Sequence, residues 1–366
     1  VTVREGSWQA EIRIPYSELG LTASPKGVWT LNLCRTRSTS TPGRPEHSAW
    51  SPVEIGFHDV SHFGRIVVGE EKYSLAMVRA LVLREDLRAS LELVALAMKK
   101  ARNWIEPLPQ NTPQKPGLLE KLAHIDLRVE GIASEITDAD DKGLKAFAAS
   151  LSPRIAALQD KMDKAVFQGQ ILAFARDMPR DGHLLVLTGP AITNERFTPG
   201  RSFPQSFRAA KVLSASACAG ETESLTFVLY AFGPVQDIRV EASDLTGEKA
   251  VIPSRSVDLR VVKYWYQAGR ELSRHMEKPT GPLLVPELLL KDDSLIVVDR
   301  EAKRNFMRTP QGLVDISDPK ADLSGLAPRD SKELQPFDLQ AGELKQIWVN
   351  IKVPAGTAVG SYRGSI

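Results

Sequence analysis

Residues 346–366 read QIWVNIKVPAGTAVGSYRGSI. Ile347, Val349 and Ile351 alternate with more polar neighbours, the period of a half-buried strand. Pro354, Ala355 and Gly356 turn the chain, and a further strand is predicted from Tyr362, four residues before the sequence stops. A strand that starts and has no room to finish predicts continuation beyond Ile366. The same grammar extends upstream. HLLVLTG, AAKVLSASAC, ESLTFVLYAF, VQDIRVEASDL, VDLRVVKYWYQAG and KQIWVNIKVP are strand-like runs separated by Gly, Pro, Asn and Asp, so residues 179–366 are expected to form an antiparallel β-sandwich. RELSRHMEKPTGP and residues 308–336 are less regular and read as long surface loops.

Before this sandwich the period changes. Leu87, Leu91, Val94, Met98, Ala101 and Ile105 follow 4-3-4-3-4 spacing, Leu118 to Ile136 repeat it, and Leu144 to Leu172 continue it with one irregular step. Residues 73–178 are thus expected to be a three-helix coiled-coil spacer about 45 to 50 Å long, from ~1.5 Å of rise per residue. The four prolines of EPLPQNTPQKPG make a loop at the first break, and TDADDKG is short enough to make neighbours antiparallel. Residues 1–72 return to short strands such as WQAEIRIP and GVWTLNLCRTR, half a sandwich with too few strands to close a core. The expected fold class is multidomain and mostly β with an α insertion.

The bulk numbers exclude more than they propose. With 47 basic and 45 acidic residues the net charge is +2, and no basic tract supplies an electrostatic reason for nucleic acid as partner. No apolar run approaches the ~20 residues of a membrane span. The two cysteines, Cys34 and Cys218, are far apart and predict free, mostly buried thiols. Dinucleotide, Walker, zincin and nucleophile-elbow motifs are absent. Asp138, Asp140 and Gly143 imitate a calcium loop, but Lys142 holds a ligand position and Ala149 stands where the bidentate Glu belongs. Neither a metal nor a cofactor is expected.

Two clusters carry groups capable of chemistry. His58, Asp59 and His62 in FHDVSHFG could face a metal, or hydrogen-bond in a turn between packed Phe57 and Phe63. Asp292, Asp293, Asp299 and Glu301 are carboxylates, and a glycosidase needs two facing one site; here they read as a hairpin turn and a solvated strand end. Aromatic residues remain, since flat C–H faces of sugars stack on Trp and Tyr. Alternation puts Tyr264 and Tyr266 on one face of their strand and Trp265 on the other, leaving core packing and an exposed contact surface both open. Trp8, Trp29 and Trp348 read as core. Trp50, after a Pro/Gly-rich loop, is the better binding candidate.

Two resemblances follow from these stretches. WQAEIRIPYSELGL, VWTLNLCRTR, HSAWSPV and FHDVSHFGRIVV resemble the carboxy-terminal half of family 9 carbohydrate-binding modules. GETESLTFVLYAF, IRVEASDLTG, VVKYWYQAG, LVPELLLKDDSLIVVD, LQPFDLQAGELKQIWVNIKVP and GSYRGSI, in that order, resemble the β-sandwich preceding the catalytic barrel of glycoside hydrolase family 123. The second resemblance implies a parent acting on N-acetylhexosaminides from a downstream (β/α)₈ barrel, with an adjacent Asp-Glu pair to which no position here corresponds. It implies a non-catalytic region of a larger glycoside hydrolase, extracellular or periplasmic, with a glycan and that barrel as partners. Trp50, Tyr264 and Tyr266 are the expected carbohydrate contacts, and no catalytic residue is expected. A structural or adhesive surface scaffold is the alternative.

Overall fold

A computed structural model describes residues 2–4, 7–9, 11–22, 26–37, 46–52, 63–69, 73–141, 143–176, 182–193, 197–267, 282–317 and 323–366. Among the described residues the chain is mostly β with three α-helices, and it divides into two compact units. One contains residues 1–93 and 127–156, the other 94–126 and 157–366.

The first unit carries three separate antiparallel strand pairs. β1 (Thr2–Arg4) pairs with β2 (Ser7–Gln9), β3 (Gly27–Leu31) with β6 (Gly64–Val68), and β4 (Cys34–Arg37) with β5 (Glu46–Ala49). Three expectations change here. WQAEIRIP is a strand only as far as Gln9, and Ile12 and Ile14 lie exposed beyond it. The run GVWTLNLCRTR is cut at Asn32, whose amide instead bonds both ways to the Ser51 backbone (3.1 and 2.9 Å), so its halves take different partners. Cys34 and Cys218 are free as expected but exposed rather than buried, Cys34 at the start of the short strand β4 and Cys218 at the end of an irregular segment.

The helices are α1 (Leu75–Ile105), α2 (Lys115–Asp138) and α3 (Leu144–Ala175). Most buried positions keep the spacing read from the sequence: Leu87, Leu91, Val94, Met98, Ala101 and Ile105 on α1, and Leu144, Leu151, Ile155, Leu158, Met162 and Ala165 on α3, where Ala148 is buried rather than the expected Phe147. Within the first unit, Arg84 on α1 donates to the Ile136 and Ala139 carbonyls (3.0 and 2.6 Å) and to Asp141 (2.6 Å). It thereby satisfies the open carbonyl end of α2, where a cation also favours the helix dipole, and fixes the two helices antiparallel.

The second unit is built on a six-stranded antiparallel sheet. In chain order its strands are β7 (Leu184–Gly189), β8 (Arg208–Ala209), β9 (Thr222–Ala231), β13 (Val257–Gln267), β14 (Leu283–Leu290) and β19 (Leu344–Lys352), set in the spatial order β14-β13-β19-β9-β7-β8. Smaller sheets join β10 (Val235–Ile238) to β18 (Phe337–Leu339), β11 (Leu245–Thr246) to β12 (Val251–Ile252), and β15 (Ile296–Asp299), β16 (Arg304–Thr309) and β17 (Gly312–Asp315) in sequence. The predicted loop over 308–336 therefore contains a strand, β17. AAKVLSASAC is in a strand only at its first residue, Ala209: small Ala and Ser side chains have little apolar area to bury, and residues 214–218 are exposed.

Alternation along the central strands sends residues to two cores. Phe227, Leu229, Leu259, Val261, Ile347 and Val349 face a core closed by Ile238, Phe337 and Leu339 of the β10–β18 pair. Val228, Val262, Tyr264, Leu185 and Leu187 face the other way. That second core is closed by Phe167 and Ile171 of α3 and by Phe197, Phe203 and Phe207, whose rings stack or tilt at centroid distances of 4.6 to 5.7 Å. Gln170 of α3, itself buried, accepts from the Phe203 N–H (2.8 Å) and donates to its carbonyl (3.0 Å), so the loop backbone enters the core with its polar groups paired.

Candidate functional site

Strand β13 divides the aromatic residues singled out in the sequence. Tyr264 is 8% exposed, a core residue that presents no ring face to solvent. Its hydroxyl donates to Gln346 Oε1 (2.7 Å), Gln346 donates to Thr226 Oγ1 (3.1 Å), and Thr226 donates to the Ile347 carbonyl (2.8 Å). Burial pushes the hydroxyl's pKa well above the usual phenol value. Tyr266 is half-buried, and its backbone N–H and C=O both bond to the Asn305 amide (2.8 and 2.6 Å). On the opposite face, the Trp265 indole donates to Glu287 Oε2 (2.7 Å), which also accepts from Gln267.

The acidic residues around 292–301 are engaged in building the fold. Asp293 joins two lysines, 3.1 Å from Lys263 Nζ and 2.5 Å from Lys345 Nζ. Burial raises its carboxyl pKa, but the Lys345 and Lys263 ammonium groups outweigh that and hold it below the usual carboxylate range. Asp292 accepts from Ser294 N–H (2.9 Å) as an N-cap, and Asp299 accepts from the Glu301 and Ala302 amides (2.9 and 2.8 Å). Asp258 is bridged by Arg260 (2.6 Å) and Lys291 (2.8 Å).

Trp50 lies in the first unit with 55% of its surface exposed. Its ring rests on Gly64 so closely that a Cβ there would come within 2.5 Å of it, and the Trp50 backbone N–H donates to the Leu33 carbonyl (2.8 Å). The FHDVSHFG cluster of His58, Asp59 and His62 lies outside the described residues. Among the described residues, no group of three His, Cys, Asp or Glu side chains is placed to hold a metal, and no helix is long and apolar enough to cross a membrane.

One concavity in the second unit draws on residues that sequence reasoning missed. At the carboxy-terminal ends of α1 and α3 a cleft of about 240 Å³ is lined by Asn103, Trp104, Pro107, Leu108, Phe174 and Arg176. The Trp104 and Phe174 rings meet edge to face, with centroids 5.5 Å apart. Gly169 explains their meeting: a Cβ there would lie 2.9 Å from Ile105 Cγ1 and 3.1 Å from Trp104 Cβ, so only glycine lets α1 approach α3 this closely. Lys115, 5% exposed, donates from Nζ to the Glu106 and Leu108 carbonyls (2.7 and 2.5 Å) and pins the wall that carries Pro107. The only sequence signal for this site is a Trp off the buried seam beside a proline-rich break.

Residues 191–366 match the family model of the glycoside hydrolase 123 N-terminal domain. A solved structure of a family 123 glycoside hydrolase from Clostridium perfringens, described in terms of glycolipid glycan hydrolysis, is also similar. Identity is 17%, the TM-score is 0.24, and the alignment covers 40% of this chain and 18% of that one. No curated protein matches.

Proposed function

We propose that the chain is a non-catalytic, supporting region of a larger glycoside hydrolase, with its chemistry in a barrel elsewhere in the same polypeptide. The observation that carries this reading is the match of residues 191–366 to a domain named for its position amino-terminal in such enzymes. The carboxylates described above support it. Asp258 and Asp293 are held in ion pairs, while Asp292 and Asp299 cap turns. None of these four pairs with another as an acid and a base would across a glycosidic bond. The parent substrate in this reading is an N-acetylhexosaminide, the location extracellular or periplasmic, and residues 1–72 a carbohydrate-binding half-module.

The purified chain is expected to release no nitrophenol from 4-nitrophenyl β-N-acetylgalactosaminide. Sustained release that tracks the protein through purification would overturn the reading. Trp50, with its ring backed by Gly64 and more than half exposed, is the proposed contact to polysaccharide in the first unit, alongside the half-buried Tyr266 in the second. A second reading, a surface scaffold that cleaves nothing, is favoured by the helices, of 31, 24 and 32 residues with a regular buried seam. Retention on an immobilised polysaccharide that Trp50→Ala weakens favours the first reading, and no retention of either protein favours the second.

A further inference from the structure

We propose that one end of the six-stranded sheet, where Trp348 and Asn350 of β19 lie between Ser224 of β9 and Asp258 of β13, is a platform that takes a single pyranose ring. The ring's C–H face lies against the indole, and two neighbouring hydroxyls meet the Asn350 amide and the Asp258 carboxylate. The proposal rests on the reading of the protein as part of a glycan-processing enzyme, and adds a contact separate from Trp50 and Tyr266.

Strand register fixes the arrangement. Across β9, β19 and β13, Ser224, Asn350 and Asp258 stand in one row, and Thr226, Trp348 and Arg260 in the next. Residues two apart on a strand share a face, and this is the face that α3 and Phe197, Phe203 and Phe207 close farther along, over Val228 and Val262. At these rows Ser224, Trp348, Asn350, Asp258 and Arg260 are each partly exposed, whereas Leu259 and Val349 on the opposite face are buried. Trp348, which its place mid-strand assigns to the core, packs against that core yet remains partly exposed.

The polar groups are oriented and still have hydrogen-bonding capacity. An indole N–H can only donate, so Asn350 must turn its side-chain oxygen to Trp348 (2.8 Å), and Ser224 donates to the same oxygen (2.8 Å). The two N–H donors of the amide therefore point away from both, and no described residue accepts from them. Asp258 already takes Arg260 (2.6 Å) and Lys291 (2.8 Å), but a carboxylate has about four acceptor sites, so these two partners orient it without filling it. Burial raises its pKa, and the hydrogen bonds from Lys291 and Arg260 outweigh that and hold it below the usual carboxylate range, so it accepts and does not donate.

This pairing selects the ligand class. Asn350 and Asp258 are cross-strand partners, which sets their Cβ atoms roughly 5 Å apart. A donor and an acceptor at that spacing beside an aromatic ring match a sugar, whose neighbouring hydroxyls each donate and accept and whose ring carbons present C–H groups. An acyl chain or an aliphatic peptide side chain laid on Trp348 would strip water from the amide and the carboxylate and return no hydrogen bond. Anchoring of the indole and the amide to each other before any ligand arrives keeps the entropy cost of binding low, which a single-ring ligand requires.

The test uses the full chain carrying Trp50→Ala, which removes the contact proposed in the first unit, and follows the methyl β-glycosides of N-acetylgalactosamine, galactose and glucose by saturation-transfer NMR. Transfer to at least one glycoside is expected, reduced about fivefold by adding Asn350→Ala. Trp348→Phe keeps an aromatic ring against the core but removes the N–H that turns the amide, and is also expected to weaken transfer; it decides alone should Asn350→Ala unfold. No transfer to any of the three, or transfer unchanged in the folded variants, overturns the platform. That result leaves inertness toward the nitrophenyl substrate standing, whereas hydrolysis of that substrate overturns the proposed function and leaves the platform untouched.

Discussion

Asp293 shows how much one side chain can carry in the second unit. Its two oxygens take one lysine each, from β13 and β19, and replacing it by Asn leaves two half-buried ammonium groups without their counter-charge. Asp293→Asn is expected to cost about 3 kcal/mol at neutral pH, the lower end of the loss when a buried pair is broken. The direction of its pKa fixes the pH dependence. A carboxyl held below its unfolded value contributes stability that is present above about pH 4 and is lost as pH falls through the folded value. Urea unfolding should therefore show wild type and variant far apart at pH 7 and converging in acid; a gap of constant size would refute this. Asn305 and Gln170 act at the same scale, each pairing its amide with the N–H and C=O of one backbone residue, Tyr266 and Phe203.

Elements with a strong period were legible from sequence, and elements fixed by long-range partners were not. β9, β13 and β19 follow their alternation, and the three helices follow their seams, because each buries one face against a layer that the pattern itself implies. The strands of the first unit are shorter than their patterns. β3 and β4 separate because Asn32 turns to Ser51, a partner nineteen residues away that no local window contains. Trp104 is not marked by any local pattern for a related reason: it lies off the seam, and its neighbour Phe174 comes from another helix. Gly169 links the two. Gly169→Ala gains about 1 kcal/mol of helix propensity but must push against fully buried Ile105, and overpacking costs about 1–3 kcal/mol. The net expectation is a lower melting temperature by circular dichroism, and a rise would show that α1 can retreat without loss.

At the scale of the molecule, the boundary of the family match does not coincide with the boundary of the sheet. The match starts at residue 191, yet β7 ends at Gly189 and pairs with β9 along six residues, while Phe167 and Ile171 of α3 help to close one face of the sheet. A fragment of residues 191–366 is expected to lack a cooperative thermal transition and to bind the apolar dye ANS, because Val228 loses its neighbours on β7 and the core that holds Val228 and Val262 loses Phe167 and Ile171. Restoring residues 157–190 is expected to recover cooperative melting; a cooperative 191–366 would mean that the helix is dispensable to the sandwich. Lys115 supplies a gauge of such opening in the intact chain. An amine that is 5% exposed and already donates to two carbonyls is sheltered from acylating reagents, so acetic anhydride should modify it more slowly than the surface lysines. Its labelling rate becomes a clock for transient unlatching of the α1–α2 turn, readable by mass spectrometry on one peptide without any substitution.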